Sequence, residues 1–390
     1  MDALSWQVRR YDRITYETFL RDHLILNRPL ILDASHTASW SAAKAWRIVA
    51  QPCERLCHEA DLNALSRYGH HVVPVADTST RCFSEFERDE RPLRKVLDLW
   101  KAGEGQSLYV KDWHLLDLVE REGRKVNEVY EVPEIFRDDW MNPGSRVRDE
   151  EFAEHDRHGT SSDFRFCYVG PAGTFTPLHR DVYGSYSWSA NVVGRKLWWF
   201  YPPHDLDSVK RDGELVFDVR ELEDEGGGIK IVQEEGEIIF VPSGWHHQVL
   251  NLDFCISINH NFASSPTIPY LFEALCVSQQ RVEESISDVK EMIQQRLGKN
   301  GPWEEEWVEE VQGLLERDAG WGWSGFWDMI WANTQKPPAP ASLSPPRALQ
   351  DQYVLEAIRK YRNLPCSRFL PAVNEVVDHV ERAIRSAPAD

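Results

Sequence analysis

An antiparallel β sandwich or barrel followed by a helical portion is the architecture predicted by this chain of 390 residues. Three observations predict it. Between Phe164 and Phe262, short apolar or alternating runs are separated by Gly, Pro, Asp and Asn, the texture of many short strands rather than of βαβ units. After Pro269 the apolar residues fall into helical spacing with few breakers. The 42% hydrophobic and 27% charged fractions are those of a globular chain with a core to bury.

Taken in order, Tyr16 to Leu26 puts Phe19, Leu20 and His23 on one helical face, and Asn27 to Asp33 reads as a short strand. Gly103 and Gly105 mark a break before a strand at Ser107 to Lys111. The predicted barrel strands are Phe164–Val169, Tyr186–Val193, Lys196–Tyr201, Ile229–Val232, Ile238–Val241, Val249–Leu252 and Cys255–Asn261, with Gly226 to Gly228 in a loop. Tyr270 to Leu297 predicts one long helix, and Glu304 to Glu310 a solvated acidic helix face. Five prolines between Pro337 and Pro346 mark an exposed connector, followed by helices around Gln352–Tyr361 and Leu370–Arg385. The organisation is thus supporting elements over 1–163, a barrel over 164–265 and a helical portion over 266–390.

Charge narrows the function. Forty-four basic against sixty-three acidic side chains give a net charge of -19, which argues against direct nucleic-acid binding and suits a basic partner or substrate. No apolar run is long enough for a membrane span, and Met1 to Asp12 lacks a secretion signal. Seven scattered cysteines, an odd count, read as reduced thiols of a cytoplasmic or nuclear protein.

Three segments carry the chemistry. Thr176-Pro-Leu-His179-Arg-Asp181 contains an H-x-D, and residues two apart on a strand share a face, so both side chains could converge on one ion. The apolar strand Ile238 to Val241 ends in a Pro–Gly turn that delivers His246 and His247, of which alternation lets only one reach that ion. Two imidazoles and a carboxylate are the facial triad of non-haem iron(II) oxygenases, although zinc accepts the same donors. Between these segments, Gly194-Arg-Lys196-Leu-Trp-Trp-Phe-Tyr-Pro-Pro203 is a strand with a cation among aromatics. If Lys196 faces inward with Trp198 and Phe200, it needs an anion; otherwise it points out beside Arg195.

These segments, with Ile256-Ser-Ile-Asn-His-Asn261-Phe262, resemble the JmjC domain of iron(II)- and 2-oxoglutarate-dependent oxygenases. Asn27-Arg-Pro-Leu-Ile-Leu32 and Leu108-Tyr-Val-Lys-Asp-Trp-His114 resemble the elements that precede that domain in its small hydroxylase members, so the likeness spans most of residues 15–265. It implies a double-stranded β-helix, a cupin-like jelly roll, in a mainly β protein with helices. It implies iron(II), 2-oxoglutarate and dioxygen as cofactor and cosubstrates. His179, Asp181 and His247 would be the iron ligands, His247 because the family's ligand lies five residues after the strand-ending proline, here Pro242. Lys196 would pair with the distal carboxylate of 2-oxoglutarate, helped by Thr176 and Tyr109, with Asn261 lining the pocket. Many relatives carry Asn where this chain has Ser187, a departure that bears on cosubstrate binding.

Within the family, Tyr186-Ser-Trp-Ser-Ala-Asn191 and the stretch from Val241 to Leu252 resemble a subfamily of lysyl hydroxylases acting on a translation-termination release factor. An N-methyl-lysine demethylase and a non-catalytic JmjC binding module are the competing readings. Several remaining features read as structural. Cys53 and Cys57 are expected in a helix core, and His70, His71, His155 and His158 at the surface without partners at ligand spacing. The aromatic run Gly320 to Trp327 is expected to plug the space between helices and barrel.

Overall fold

The computed structural model describes residues 8–49, 58–142, 163–298 and 300–386, and the Cys53/Cys57 and His155/His158 expectations lie outside them, as does any account of their surroundings. The described residues divide into two compact units. Of the described residues, the first unit comprises those up to Pro133, Asp163–Asp181 and Tyr186–Asn261; the second comprises 134–142, Val182–Ser185 and those from Phe262 on.

The first unit is built on two β-sheets. The larger has nine strands, in the order Arg9–Tyr11, Leu30–Leu32, Ile238–Val241, Tyr186–Val193, Cys255–Phe262, Arg165–Gly170, Leu108–Trp113, Val72–Cys82 and Glu85–Pro92. The smaller has four, Ile229–Gln233, Lys196–Tyr201, His246–Asn251 and Phe175–Arg180, all antiparallel. Their inner faces meet in one apolar cluster: Ile31, Ile239 and Val241 from the larger sheet pack with Trp198, Phe200, Ile231 and Val249 from the smaller. This is the expected double-stranded β-helix. On the other face of the smaller sheet, Trp199 and Tyr201 are covered by Leu178, Val209, Val216 and Val219. The Lys196–Tyr201 strand is thereby wedged between two apolar layers, which is why four of its six residues are aromatic.

Differences from expectation have local causes. The first helix runs as one α turn, Tyr16–Phe19, that widens into a π-helix over Leu20–Leu24. The strand expected from Asn27 shortens to Leu30–Leu32 because Asn27 adopts φ 52°. Its amide donates to the Ser243 carbonyl at 2.9 Å and accepts from the Ser243 N–H at 2.8 Å, so it pins the turn that precedes His246. The hairpin Val72–Cys82/Glu85–Pro92 has no counterpart in the sequence reading. Its second strand reads Glu-Phe-Glu-Arg-Asp-Glu-Arg-Pro, charged almost throughout, and it is recruited by pairing at the sheet edge rather than by burial.

The second unit is helical, with Ile268–Ser285, Ser287–Leu297, Trp303–Ala319, Trp323–Gln335, Arg347–Arg362 and Pro371–Ser386. The single helix expected over Tyr270 to Leu297 is broken at Ile286 (φ -118°, ψ 29°), where the Ser285 hydroxyl donates to the Val282 carbonyl and competes with the helical ladder. Glu304, Glu305 and Glu306 occupy the first turn of their helix, where the dipole favours anions. Trp323, Phe326 and Trp327 are fully buried and pack on Phe272 and Tyr361, so the aromatic run forms the core of this unit itself. The proline connector is partly tied down: Ala339 and Ser344 are buried. Among the described residues, no helix is long and apolar enough to cross a membrane.

Candidate active site

The site lies at the inner face of the smaller sheet, and strand register explains its geometry. His247 pairs directly with His179 across the sheet, and their rings lie 4.3 Å apart between centroids. Further along, Val249 pairs with Thr176, so one residue, Gln248, opposes two, Pro177 and Leu178. That β-bulge adds one residue to the Phe175–Arg180 strand at Pro177–Leu178 and re-aims its side chains. Thr176 and His179, an odd number apart, therefore line the same cavity. A proline is tolerated there because a bulge leaves a residue without a ladder partner.

Asp181 is the first residue beyond that strand rather than its last residue, yet its carboxylate still joins the two imidazoles. His179, Asp181 and His247 each present one ligand atom, and these atoms all lie within 4.8 Å of one another. Both rings are oriented from behind. His179 Nδ1 lies 2.8 Å from the Pro177 carbonyl and His247 Nδ1 3.3 Å from the Trp245 carbonyl. A carbonyl can only accept, so Nδ1 carries the proton in each ring and Nε2 keeps its lone pair. Burial holds both imidazoles below the usual histidine range, with the neighbouring imidazole lowering His179 further, and so favours the neutral form a metal requires. Ser187 Oγ donates to Asp181 Oδ2 at 2.7 Å and orients the carboxylate. His247 is further packed against Trp198 and Phe200, whose ring centroids lie 5.5 and 5.8 Å away. His246, on the opposite face of its strand, pairs with Arg180 and stands outside the triad. Burial pushes it down to about 4.

Lys196 faces inward. It shares a strand face with Trp198 and Phe200 and is 2% exposed. Its ammonium donates to Ser257 Oγ at 2.7 Å and lies 5.7 Å from the Tyr168 ring centroid. Among the described residues it makes no ion pair, and burial pulls its pKa down to about 8. A buried ammonium with a single neutral hydroxyl partner is an incomplete electrostatic arrangement, which an entering carboxylate would complete.

The remaining expected residues all line this cavity: Tyr109, Thr176, Ser187 and Asn261, alongside His179, Asp181, His247 and Lys196. Tyr109 can approach because Gly170 lies under its ring, where a Cβ would come within 2.5 Å of Cδ2. The cavity has further walls that sequence reasoning did not single out, namely Tyr168, Ser189, Val249 and Asn259. Tyr168 donates its hydroxyl to Asp112 at 2.5 Å, and Ser189 donates to Asn259 at 2.9 Å. One signal for the last was available: Asn259 and Asn261 sit two apart and so share a face of one strand.

Comparison with known proteins places the chain in a family. The Cupin-like domain family matches residues 16–268. A chicken (Gallus gallus) protein named 2-oxoglutarate and iron-dependent oxygenase JMJD4 is 31% identical over 343 residues, covering 83% of this chain and 73% of the relative. The chain belongs to the cupin-like JmjC family of iron- and 2-oxoglutarate-dependent oxygenases. The human protein of the same name is 35% identical over 69% of this chain and 65% of the relative. The Arabidopsis thaliana protein named Arginine-specific demethylase JMJ20 is 34% identical over 72% of this chain and 62% of the relative. Two imidazoles and one carboxylate are the facial donor set of non-haem iron(II) oxygenases. Two neutral imidazoles and one carboxylate fit iron(II), and the buried ammonium beside them fits the second carboxylate of 2-oxoglutarate.

One expectation about histidines fails within the same unit. His71 is 4% exposed rather than a surface residue, and Glu122 brings a third potential ligand to His70 and His71. A partner from fifty residues away leaves no mark in local spacing.

Proposed function

We propose that this JmjC oxygenase hydroxylates a protein side chain, a lysine of a translation-termination release factor, with iron(II) held by His179, Asp181 and His247. When bound, the iron with 2-oxoglutarate and dioxygen supplies oxidation of a substrate C–H bond, with succinate and carbon dioxide as co-products. The chain's own residues bind and orient. Lys196 pairs with the distal carboxylate of 2-oxoglutarate, and the Thr176 and Tyr109 hydroxyls complete that contact. Asn261 lines the same pocket. The Ser187 hydroxyl, engaged by Asp181, fixes the ligand carboxylate instead of binding the cosubstrate. Trp198 and Phe200 keep water from the imidazoles.

The observation that carries this reading is the buried Lys196 ammonium, without an ion-pair partner among the described residues, in the same cavity as the His–Asp–His cluster. A protein substrate bearing basic residues fits the net charge of -19. A cytoplasmic setting, with the nucleus as the alternative, fits the five described cysteines, all free thiols.

A demethylase is the second reading, favoured by the relative named as an arginine-specific demethylase. N-methyl-lysine demethylation begins with the same C–H oxidation, after which the carbinolamine collapses to formaldehyde. The purified chain with iron(II), 2-oxoglutarate and the release factor is expected to form succinate and to add one oxygen atom to a lysine, read by mass spectrometry. Formaldehyde from a methylated peptide without that mass gain would replace hydroxylation by demethylation. Absence of succinate with every substrate would leave a non-catalytic binding module.

A further inference from the structure

Away from the oxygenase centre, two imidazoles converge on one carboxylate. His70 Nε2 lies 2.7 Å and His71 Nε2 2.8 Å from the same oxygen, Oε1 of Glu122, and one ligand atom from each residue lies within 4.8 Å of the others. His71 stands just before the strand Val72–Cys82, and Glu122 caps the helix Leu115–Arg121. The cluster therefore joins elements that are about fifty residues apart.

The arrangement is pre-organised on one side and open on the other. His71 is held by the rings of Tyr68 and Trp113, with centroids 5.5 and 5.7 Å away, so the direction of its Nε2 is fixed. The side chains of His70 and Glu122 are 64% and 31% exposed, which leaves a path for an ion and room for water as a fourth ligand. Arg124 Nη1 lies 3.6 Å from the other oxygen of Glu122, Oε2, the kind of outer partner that holds a coordinating carboxylate in place. The two imidazoles drive the Glu122 carboxyl down to about 2, and burial lowers His71, so a charged carboxylate and a neutral ring are already in hand.

We propose that His70, His71 and Glu122 form a second divalent-cation site that takes zinc and fastens the end of the helix Leu115–Arg121 to the start of the strand Val72–Cys82. Two imidazoles, a carboxylate and water are a zinc donor set, and nitrogen–oxygen sites bind zinc more tightly than iron(II). Coordination through Nε2 moves the His71 ring proton to Nδ1, which is buried without a hydrogen-bond partner. This weakens binding by about 10- to 100-fold relative to a zinc site whose outer shell accepts that proton.

Zinc bound to the full chain is counted by competition with a chromogenic chelator. The unaltered protein is expected to take one equivalent more than His70→Ala or Glu122→Gln. In an Asp181→Ala background, where the oxygenase centre is damaged, zinc is expected to raise the melting temperature, and adding His70→Ala removes that rise. His70 is exposed, so circular dichroism of His70→Ala controls for folding. Equal zinc binding by the unaltered chain and both variants overturns the proposal, as does a melting shift that survives His70→Ala.

Discussion

Lys196 shows how one residue can point to a cosubstrate. An ammonium kept from water and from any anion is costly, and a carboxylate that enters beside it gains a charge-assisted contact of about 1.5–3 kcal/mol. Lys196→Ala is therefore expected to raise the 2-oxoglutarate concentration needed for half-maximal succinate formation by about 10- to 100-fold while iron still binds. Asp181→Ala removes the proposed anionic ligand and is expected to lose iron binding itself, measured by metal content after gel filtration. A pH dependence follows from the same residue. Its pKa is lowered to about 8, and in the proposed pairing only the charged form binds the cosubstrate. Proton loss from the free site above that pH competes with binding, so the KM for 2-oxoglutarate is expected to be flat below about 8 and to rise up to tenfold per pH unit above it. Lys196→Arg, which stays charged, should bind less well but abolish that rise; a rise that persists would assign it to another group.

At the scale of the element, the site depends on two backbone irregularities. The bulge at Pro177–Leu178 lets Thr176 and His179 share a face, as unbroken alternation would not. The turn between Tyr186–Val193 and Lys196–Tyr201 depends on Gly194, which has φ 77° and stands where a Cβ would lie 2.4 Å from the Phe254 carbonyl. Both the left-handed backbone and the contact with rigid main chain oppose a side chain. Gly194→Ala is expected to destabilise the fold by about 2 kcal/mol or more, measured by urea denaturation. Because Lys196 lies two residues on, the same variant should weaken 2-oxoglutarate binding; unchanged stability would show that the turn can relax.

For the whole molecule, the net charge of -19 acts on encounter rather than on chemistry. If the substrate is a basic peptide, kcat/KM should fall about three- to tenfold between low and physiological ionic strength, while kcat at saturating peptide stays constant. No salt dependence would remove charge steering from the account of substrate choice.

Much of the barrel was legible because its strands are dry on both faces. Tyr186–Val193, Lys196–Tyr201 and Ile238–Val241 appear in the sequence as apolar runs closed by turn residues, and they fold at those limits. The Glu85–Pro92 strand was not legible, since edge pairing places few demands on side chains, and the break at Ile286 depends on one hydroxyl competing for one carbonyl.

The sequence by itself determined the chemical groups: the H-x-D, the paired histidines after a Pro–Gly turn, and a lysine in an aromatic strand. Local spacing reports which face of an element a side chain takes, so it also limited the choice to one of His246 and His247. Tertiary structure alone decided which groups share a cavity. Tyr168 and Asn259 reach the Lys196 pocket because the larger sheet packs on the smaller one, and Glu122 reaches His70 and His71 from a helix end far along the chain. Contacts of that kind are set by register and packing between distant segments, which no local pattern encodes.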